Sequence, residues 1–165
     1  MIRIDTEHAV SFTGHRPERL EIDEEKVIKW LDIQVRRAVD DGFTDFIAGM
    51  QRGVDIWAAE LVLKLKSEKQ HEDIRLFAAP AFRGMEKQWE KDWQKKYHAV
   101  LQASNDITFV SDKPGRAAFF RRNKWMVDRS KRVIGVYTGA PGGTKETIAY
   151  AEKLGREIIL IDKNF

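Results

Sequence analysis

Six short apolar runs alternate along the chain with longer segments of helical periodicity, and nothing else in the sequence constrains the fold as strongly. The runs are AVSFT (9–13), TDFIA (44–48), IRLFAA (74–79), ITFV (107–110), RVIGVY (132–137) and EIILI (157–161). Between them, helices are expected over 23–41, 53–67, 84–103, 116–129 and 144–154. In the first, Val27, Ile28, Leu31, Val35, Ala38 and Val39 recur at spacings of three and four and share a face. Asp23 suits its N-cap and Gly42 its stop. In the third, Met85, Trp89, Trp93, Tyr97, Val100 and Leu101 form the stripe. Strand–helix alternation of this kind implies an α/β fold: a Rossmann-like, doubly wound, mostly parallel six-stranded sheet with helices on both faces.

Composition agrees with one domain over residues 1–165. Hydrophobic residues make up 42% and charged residues 33% of the chain, enough for a core with a solvated surface. No apolar run approaches the roughly 18 residues of a membrane span, and the N-terminus lacks a signal-peptide pattern, so no membrane partner and a cytoplasmic address are expected. Cysteine is absent, which removes disulfides, thiolate catalysis and zinc–thiolate sites. His8, His15, His71 and His98 are scattered, so no metal site is expected. The net charge of +3 suits an anionic ligand without demanding one.

In open parallel sheets, ligands bind beyond the carboxyl ends of the strands. Three loops at such positions carry unusual residues. After the first run come Thr13, Gly14, His15 and Arg16: Gly14 is expected to allow an unusual turn, and Arg16 to grip a phosphate or carboxylate. After the second come Gly49 to Asp55; Gly49 and Gly53 flank a helix start whose free amides favour an anion, and Asp55 could accept from a ribose. After the fifth come Gly142, Gly143 and Thr144, where a ligand can approach the backbone and Thr144 would cap the helix or donate to a phosphate. On the helix before that run, Arg122 and Met126 are four apart, so a polar head beside a buried Met is feasible. A Walker A loop, a Gly-x-Gly-x-x-Gly fingerprint and a Gly-x-Ser-x-Gly elbow are all missing, which argues against kinase, ordinary dehydrogenase and serine hydrolase chemistry. The Trp89–Trp93–Tyr97 stripe reads either as core or as cover for a partner subunit, and a homo-oligomer is expected on the second reading.

Taken together, TGHRPE (13–18), GMQRGVDIWAAE (49–60), RRNKWMVDRS (121–130) and GGTKETIAYA (142–151) resemble the YpsA-like family of the SLOG superfamily, relatives of the DNA-processing protein DprA and of the LOG enzymes. The resemblance spans nearly the whole chain and implies a Rossmann-like fold with a nucleotide-derived ligand. LOG enzymes cleave the N-glycosidic bond of nucleoside monophosphates. Their Arg-x-x-x-Met pattern matches Arg122 and Met126, but their Pro-Gly-Gly-x-Gly-Thr-x-x-Glu pattern is shortened here. Thr147 stands where their Glu would be, and Glu146 comes one place early, a rotation of about 100° that is expected to aim it elsewhere.

Three functions follow. The first is a cytosolic sensor or carrier of a nucleotide-related small molecule, such as an NAD or ADP-ribose derivative. The second is an enzyme acting on a nucleoside N-glycosidic bond, with Asp55, Glu60 or Glu146 as the working carboxylate. The third is single-stranded DNA binding of the DprA type, for which the sequence offers no obvious basic-aromatic stripe.

Overall fold

The computed structural model describes residues 2–165. Six strands, β1 (Ala9–Gly14), β2 (Asp45–Ala48), β3 (Arg75–Ala78), β4 (Asp106–Ile107), β5 (Arg132–Val136) and β6 (Glu157–Leu160), form one sheet. Its order is β4-β3-β2-β1-β5-β6, and every neighbouring pair is parallel. The helices are α1 (Glu24–Asp40), α2 (Val54–Lys66), α3 (Lys91–Ala103), α4 (Arg116–Asp128) and α5 (Gly143–Lys153). From β1 the chain winds outward through β2 and β3 to β4, then α4 carries it back across β1 to β5. The winding therefore reverses between β1 and β5.

Strand residues alternate between two buried faces, as a period of two requires. Val10, Phe12, Phe46, Ala48, Leu76 and Ala78 face one core with Val27, Leu31 and Val35 of α1, Ile56 and Val62 of α2, and Tyr97 of α3. Ala9, Ile47 and Phe77 turn the other way onto Met126 of α4, and Val133 of β5 meets Ile148 of α5. On that second face the Ser11 hydroxyl lies 2.8 Å from that of Ser130, which donates to the Met126 carbonyl at 2.9 Å. A polar pair this deep is satisfied internally.

At the amino ends of the strands, ion pairs hold neighbours together. Asp45, fully buried, accepts from Arg75 at 2.7 Å and 2.9 Å. Arg132 reaches Asp41 at 2.8 Å and Glu157 at 2.6 Å. At the carboxyl ends β1 and β5 stay paired to their last residues, Gly14 with Val136.

Two elements differ from the sequence reading. The third helix starts at Lys91 instead of 84, because Gly84 is left-handed (φ 83°) and the segment after it forms separate turns. Gln94 then donates to the carbonyls of Lys87 and Trp89 and so finishes those turns. The fourth strand is only two residues long. Thr108 and Val110 still donate to Ala78 and Pro80, but Pro80 has no N–H to return, so regular pairing lapses. The aromatic stripe of α3 turns inward: Tyr97 is buried and Trp93 packs on Trp57 with ring centroids 5.9 Å apart. Among the described residues, no helix is long and apolar enough to cross a membrane.

Candidate functional site

The carboxyl ends of β1, β2 and β5, roofed by α4, enclose a cleft of about 360 Å3. It lies where the winding reverses, as expected for an open α/β sheet. Thr13, Gly14, His15, Arg16, Asp55, Arg122, Gly142, Gly143 and Thr144 all line it. Loops more than a hundred residues apart in sequence thus meet in one hollow. Gly49 and Gly53 are buried and are not part of its lining.

Gly14 has no unusual backbone; it pairs in register with Val136 as an ordinary strand residue. Its lack of a side chain matters for packing instead. A Cβ there would lie 2.5–2.8 Å from the side chain of Val54, the first residue of α2. The β1 end and the α2 start are in van der Waals contact through that gap. His15 follows, only 8% exposed, with Nε2 buried and unpartnered. Burial, then the charge of Arg19, holds its imidazole below the usual value, so it is neutral at physiological pH.

The β2 loop is turned by Met50, a buried non-glycine residue in the left-handed region (φ 69°), and by Gly53 (φ 91°), which is the N-cap of α2. Left-handed backbone at a bulky residue is held by its surroundings and concentrates at ligand sites. Asp55, in the first turn of α2, accepts from the Gln51 amide at 3.2 Å. From α4, Arg122 reaches across and donates through Nη1 to the Gly49 carbonyl and through Nε to Asn123 Oδ1, the latter at 2.8 Å. A Cβ on Gly49 would lie 2.8 Å from Asp55 Oδ2 and 2.9 Å from Arg122 Nη1. Glycine is required there because two buried, opposite charges come together over its backbone. Burial pushes the Asp55 carboxyl up to about 6, against the opposing pull of Arg122 and the Gln51 amide. Burial likewise lowers Arg122, with Asp55 opposing.

At the β5 end, Gly142 (φ 133°) is the N-cap of α5, and no side chain caps that helix. The cap is therefore glycine and not Thr144, which occupies the second helical position and is buried. The first amides of α5 remain free for a ligand, with the positive end of the helix dipole behind them. Thr147 bonds back to the Gly143 carbonyl at 2.8 Å. Glu146 does line the cleft, in contrast to the direction expected from its one-residue offset. Glu60 is not part of the lining; it lies near Lys96 of α3, 4.0 Å away.

Several lining residues escaped the sequence reading: Arg19, Gln51, Arg116, Phe119 and Phe120. Arg116, Phe119, Phe120 and Asn123 recur at three- and four-residue spacings, a helical stripe that was legible in principle. Arg19 comes from a single 3-10 turn, Pro17–Arg19, which has no periodic signature. Arg16, Arg19 and Arg116 are exposed at the rim, while Phe119, stacked edge-on to Phe82 at 5.6 Å, forms an aromatic wall.

The YpsA family model, described as the YspA SLOG family, matches residues 10–162. The chain belongs to that family. Among relatives, a UPF0398 protein of Halalkalibacterium halodurans is 30% identical over 128 residues, 76% of this chain and 67% of its own length. The SPbeta prophage-derived protein YoqJ of Bacillus subtilis is 31% identical over 134 residues, 73% of this chain and 77% of its own. In fold, the family member is similar to DNA processing protein A from Helicobacter pylori, a structure concerned with that protein's single-stranded DNA binding mode. The TM-score is 0.67 at 18% identity, covering 96% of this chain and 66% of the other. The same protein from Streptococcus pneumoniae gives 0.60 at 16% identity, with 92% and 50% covered. The chain thus spans from half to two thirds of those proteins. These structures support the Rossmann-like architecture of the family.

The buried carboxyl sets a pH dependence of stability. A carboxyl raised in the folded state favours folding at low pH, and that contribution is lost as pH rises from the usual 3.8 to about 6. Urea unfolding of the wild type and of Asp55→Asn across this window is expected to show the wild type losing stability relative to the variant as pH rises. Parallel curves would mean that Asp55 is solvated in the folded protein.

Proposed function

We propose that this protein is a cytoplasmic binding protein for a phosphate-bearing, nucleotide-related small molecule held in the cleft between β1, β2, β5 and α4. One observation carries the reading: a single hollow combines a cationic rim, an uncapped helix start, an aromatic wall and a buried carboxylate. Arg16, Arg19 and Arg116 suit phosphate oxygens, to which guanidinium groups donate in pairs. Phe119 and Phe120 suit a base. Asp55 suits sugar hydroxyls, which need an acceptor. A cleft of about 360 Å3 falls at the small end of the range for small-molecule sites. An NAD or ADP-ribose derivative fits this chemistry, with part of the molecule outside the mouth.

Calorimetry with AMP, NAD and ADP-ribose tests the proposal. At least one is expected to bind, and Arg116→Ala to weaken that binding about ten-fold, the order of one lost charge-assisted hydrogen bond. Affinity for the ribose-bearing ligand is expected to rise with pH through about 6, as Asp55 ionises and becomes a pure acceptor. Asp55→Asn should flatten that rise. No heat with any of the three would remove the reading.

A second reading, hydrolysis of a nucleoside N-glycosidic bond, is favoured by one feature: Asp55 titrates near 6 in the cleft wall, with Glu146 also in the lining. Incubation with nucleoside monophosphates and NAD, followed by chromatography for free base, separates the two. Tight binding without base release leaves the binding protein. Single-stranded DNA binding, taken from the fold neighbours, predicts oligonucleotide affinity that falls steeply with salt.

A further inference from the structure

We propose that β6 is a dimerisation edge: two copies of this chain pair antiparallel along Glu157–Leu160, joining their six-stranded sheets about a two-fold axis at Ile159. This is independent of what the cleft binds. The aromatic stripe of α3, which the sequence offered as cover for a partner, turns inward, so a second copy needs another surface.

A sheet edge presents unpaired N–H and C=O groups, and proteins usually blunt it with short strands, charges or proline. The two edges of this sheet differ. β4 is two residues long, and its Asp106 carboxylate accepts from the Ile2 and Ile107 amides at 2.9 Å, so a short strand, a charge and the N-terminal segment guard that side. β6 reads Glu-Ile-Ile-Leu, without proline or lysine. Its flanking charges are engaged away from the edge. Arg156 donates to the Val127 and Asp128 carbonyls at 3.2 and 3.1 Å, and Glu157 accepts from Arg132 at 2.6 Å. Leu160 is 41% exposed; Leu154, just before the strand, and Phe165, just after it, are 37% and 38% exposed.

Backbone parity sets the register. The amides of Glu157 and Ile161 donate to β5, at Lys131 and Gly135, so with a period of two those of Ile158 and Leu160 point outward. In an antiparallel pair, directly opposed residues of this kind exchange both hydrogen bonds. An axis at Ile159 sets Ile158 opposite the partner's Leu160, and Leu160 opposite the partner's Ile158. Every outward N–H and C=O of these two residues is then bonded. The same pairs are apolar and lie on the face that α5 covers. Ile158 packs with Val133 and Ile148, and Leu160 lies 2.9 Å from where a Cβ on Gly135 would stand. One step outward, Arg156 comes opposite the exposed carboxylate of the partner's Asp162, so charge is complementary too. One self-complementary patch thus satisfies hydrogen bonds, apolar contact and charge, as a two-fold interface requires. Because the strands run antiparallel across the axis, the two clefts open at opposite ends of the joined sheet.

Sedimentation velocity tests the assembly. The wild type is expected to be a dimer at about 100 μM. Leu160→Lys, which puts an ammonium on the edge, and Asp162→Lys, which sets like charges opposite each other, are each expected to weaken dimerisation about ten-fold or more. Asp162 is exposed, so its variant reports on the edge even if Leu160→Lys folds poorly. A cross-link locates the contact. The chain has no cysteine, so Ile159→Cys places a single thiol on the axis, where opposed Cα atoms are close enough for a disulfide. Under mild oxidation it is expected to give a covalent dimer, and Ile107→Cys, exposed on the other edge, to cross-link far less. A wild type that stays monomeric at that concentration overturns the proposal. So does a dimer unmoved by both lysine variants, or one in which Ile159→Cys cross-links no better than Ile107→Cys.

Discussion

Arg122→Met is expected to destabilise the protein by about 3–5 kcal/mol at pH 7.5, and by distinctly less at pH 5. The variant keeps most of the side chain's length and apolar stem but removes the charge that faces Asp55. At pH 7.5 the wild-type carboxyl, with its value near 6, is ionised, and the guanidinium is its main compensating charge. Removing that charge leaves a buried carboxylate that must take up a proton to stay folded. At pH 5 the wild-type carboxyl is already mostly protonated, so much less is lost. The hydrogen bonds to Gly49 and Asn123 disappear at both pH values and set the residual loss. Urea denaturation of both proteins at the two pH values measures this, and an equal loss at each would show that the two groups are uncoupled.

Gly14→Ala is expected to cost about 1–3 kcal/mol or more in stability, and to weaken ligand binding beyond what its stability alone explains. Glycine-to-alanine changes in ordinary strand conformations usually stabilise, since the unfolded chain loses freedom. Here the added methyl would approach the Cβ, Cγ1 and Cγ2 atoms of Val54 to 2.7, 2.8 and 2.5 Å. Val54 is fully buried at the start of α2, and a β-branched side chain has no spare rotamer to yield. The helix start must therefore move, and Asp55 moves with it. Gly14→Ala combined with Val54→Ala is expected to recover most of the binding, since it restores the gap. Failure of that rescue, with the double variant folded, would place the role of Gly14 in its backbone.

The site was legible to an uneven degree. Loops after the first, second and fifth strands stood out because glycine clusters with Arg, His or Thr are rare at strand ends, and the structure brings them into one cleft. The reason for each glycine was not legible. Gly14 reads as a turn residue, yet it serves contact with Val54. Gly49 reads as an anion-binding turn, yet it leaves room for Asp55 and Arg122. Of the glycines in these three loops, Gly53 and Gly142 have positive φ, whereas Gly14, expected to turn unusually, does not. Close approach between distant segments leaves no trace in local sequence. The start of α3 shows the same limit, since Met85 and Trp89 keep helical spacing while packing from separate turns.

Periodicity and strand–helix alternation were enough to determine the fold class, because burying apolar surface every second or every three to four residues is a local property of the chain. Which arginines end up buried and which line the rim was decided by the tertiary structure alone. Arg121 and Arg122 are adjacent and chemically identical, yet one is in solvent and the other is buried over Gly49. The difference comes from the crossing of α4 above the β2 end, which gives one of them a carbonyl and a carboxylate to compensate its charge.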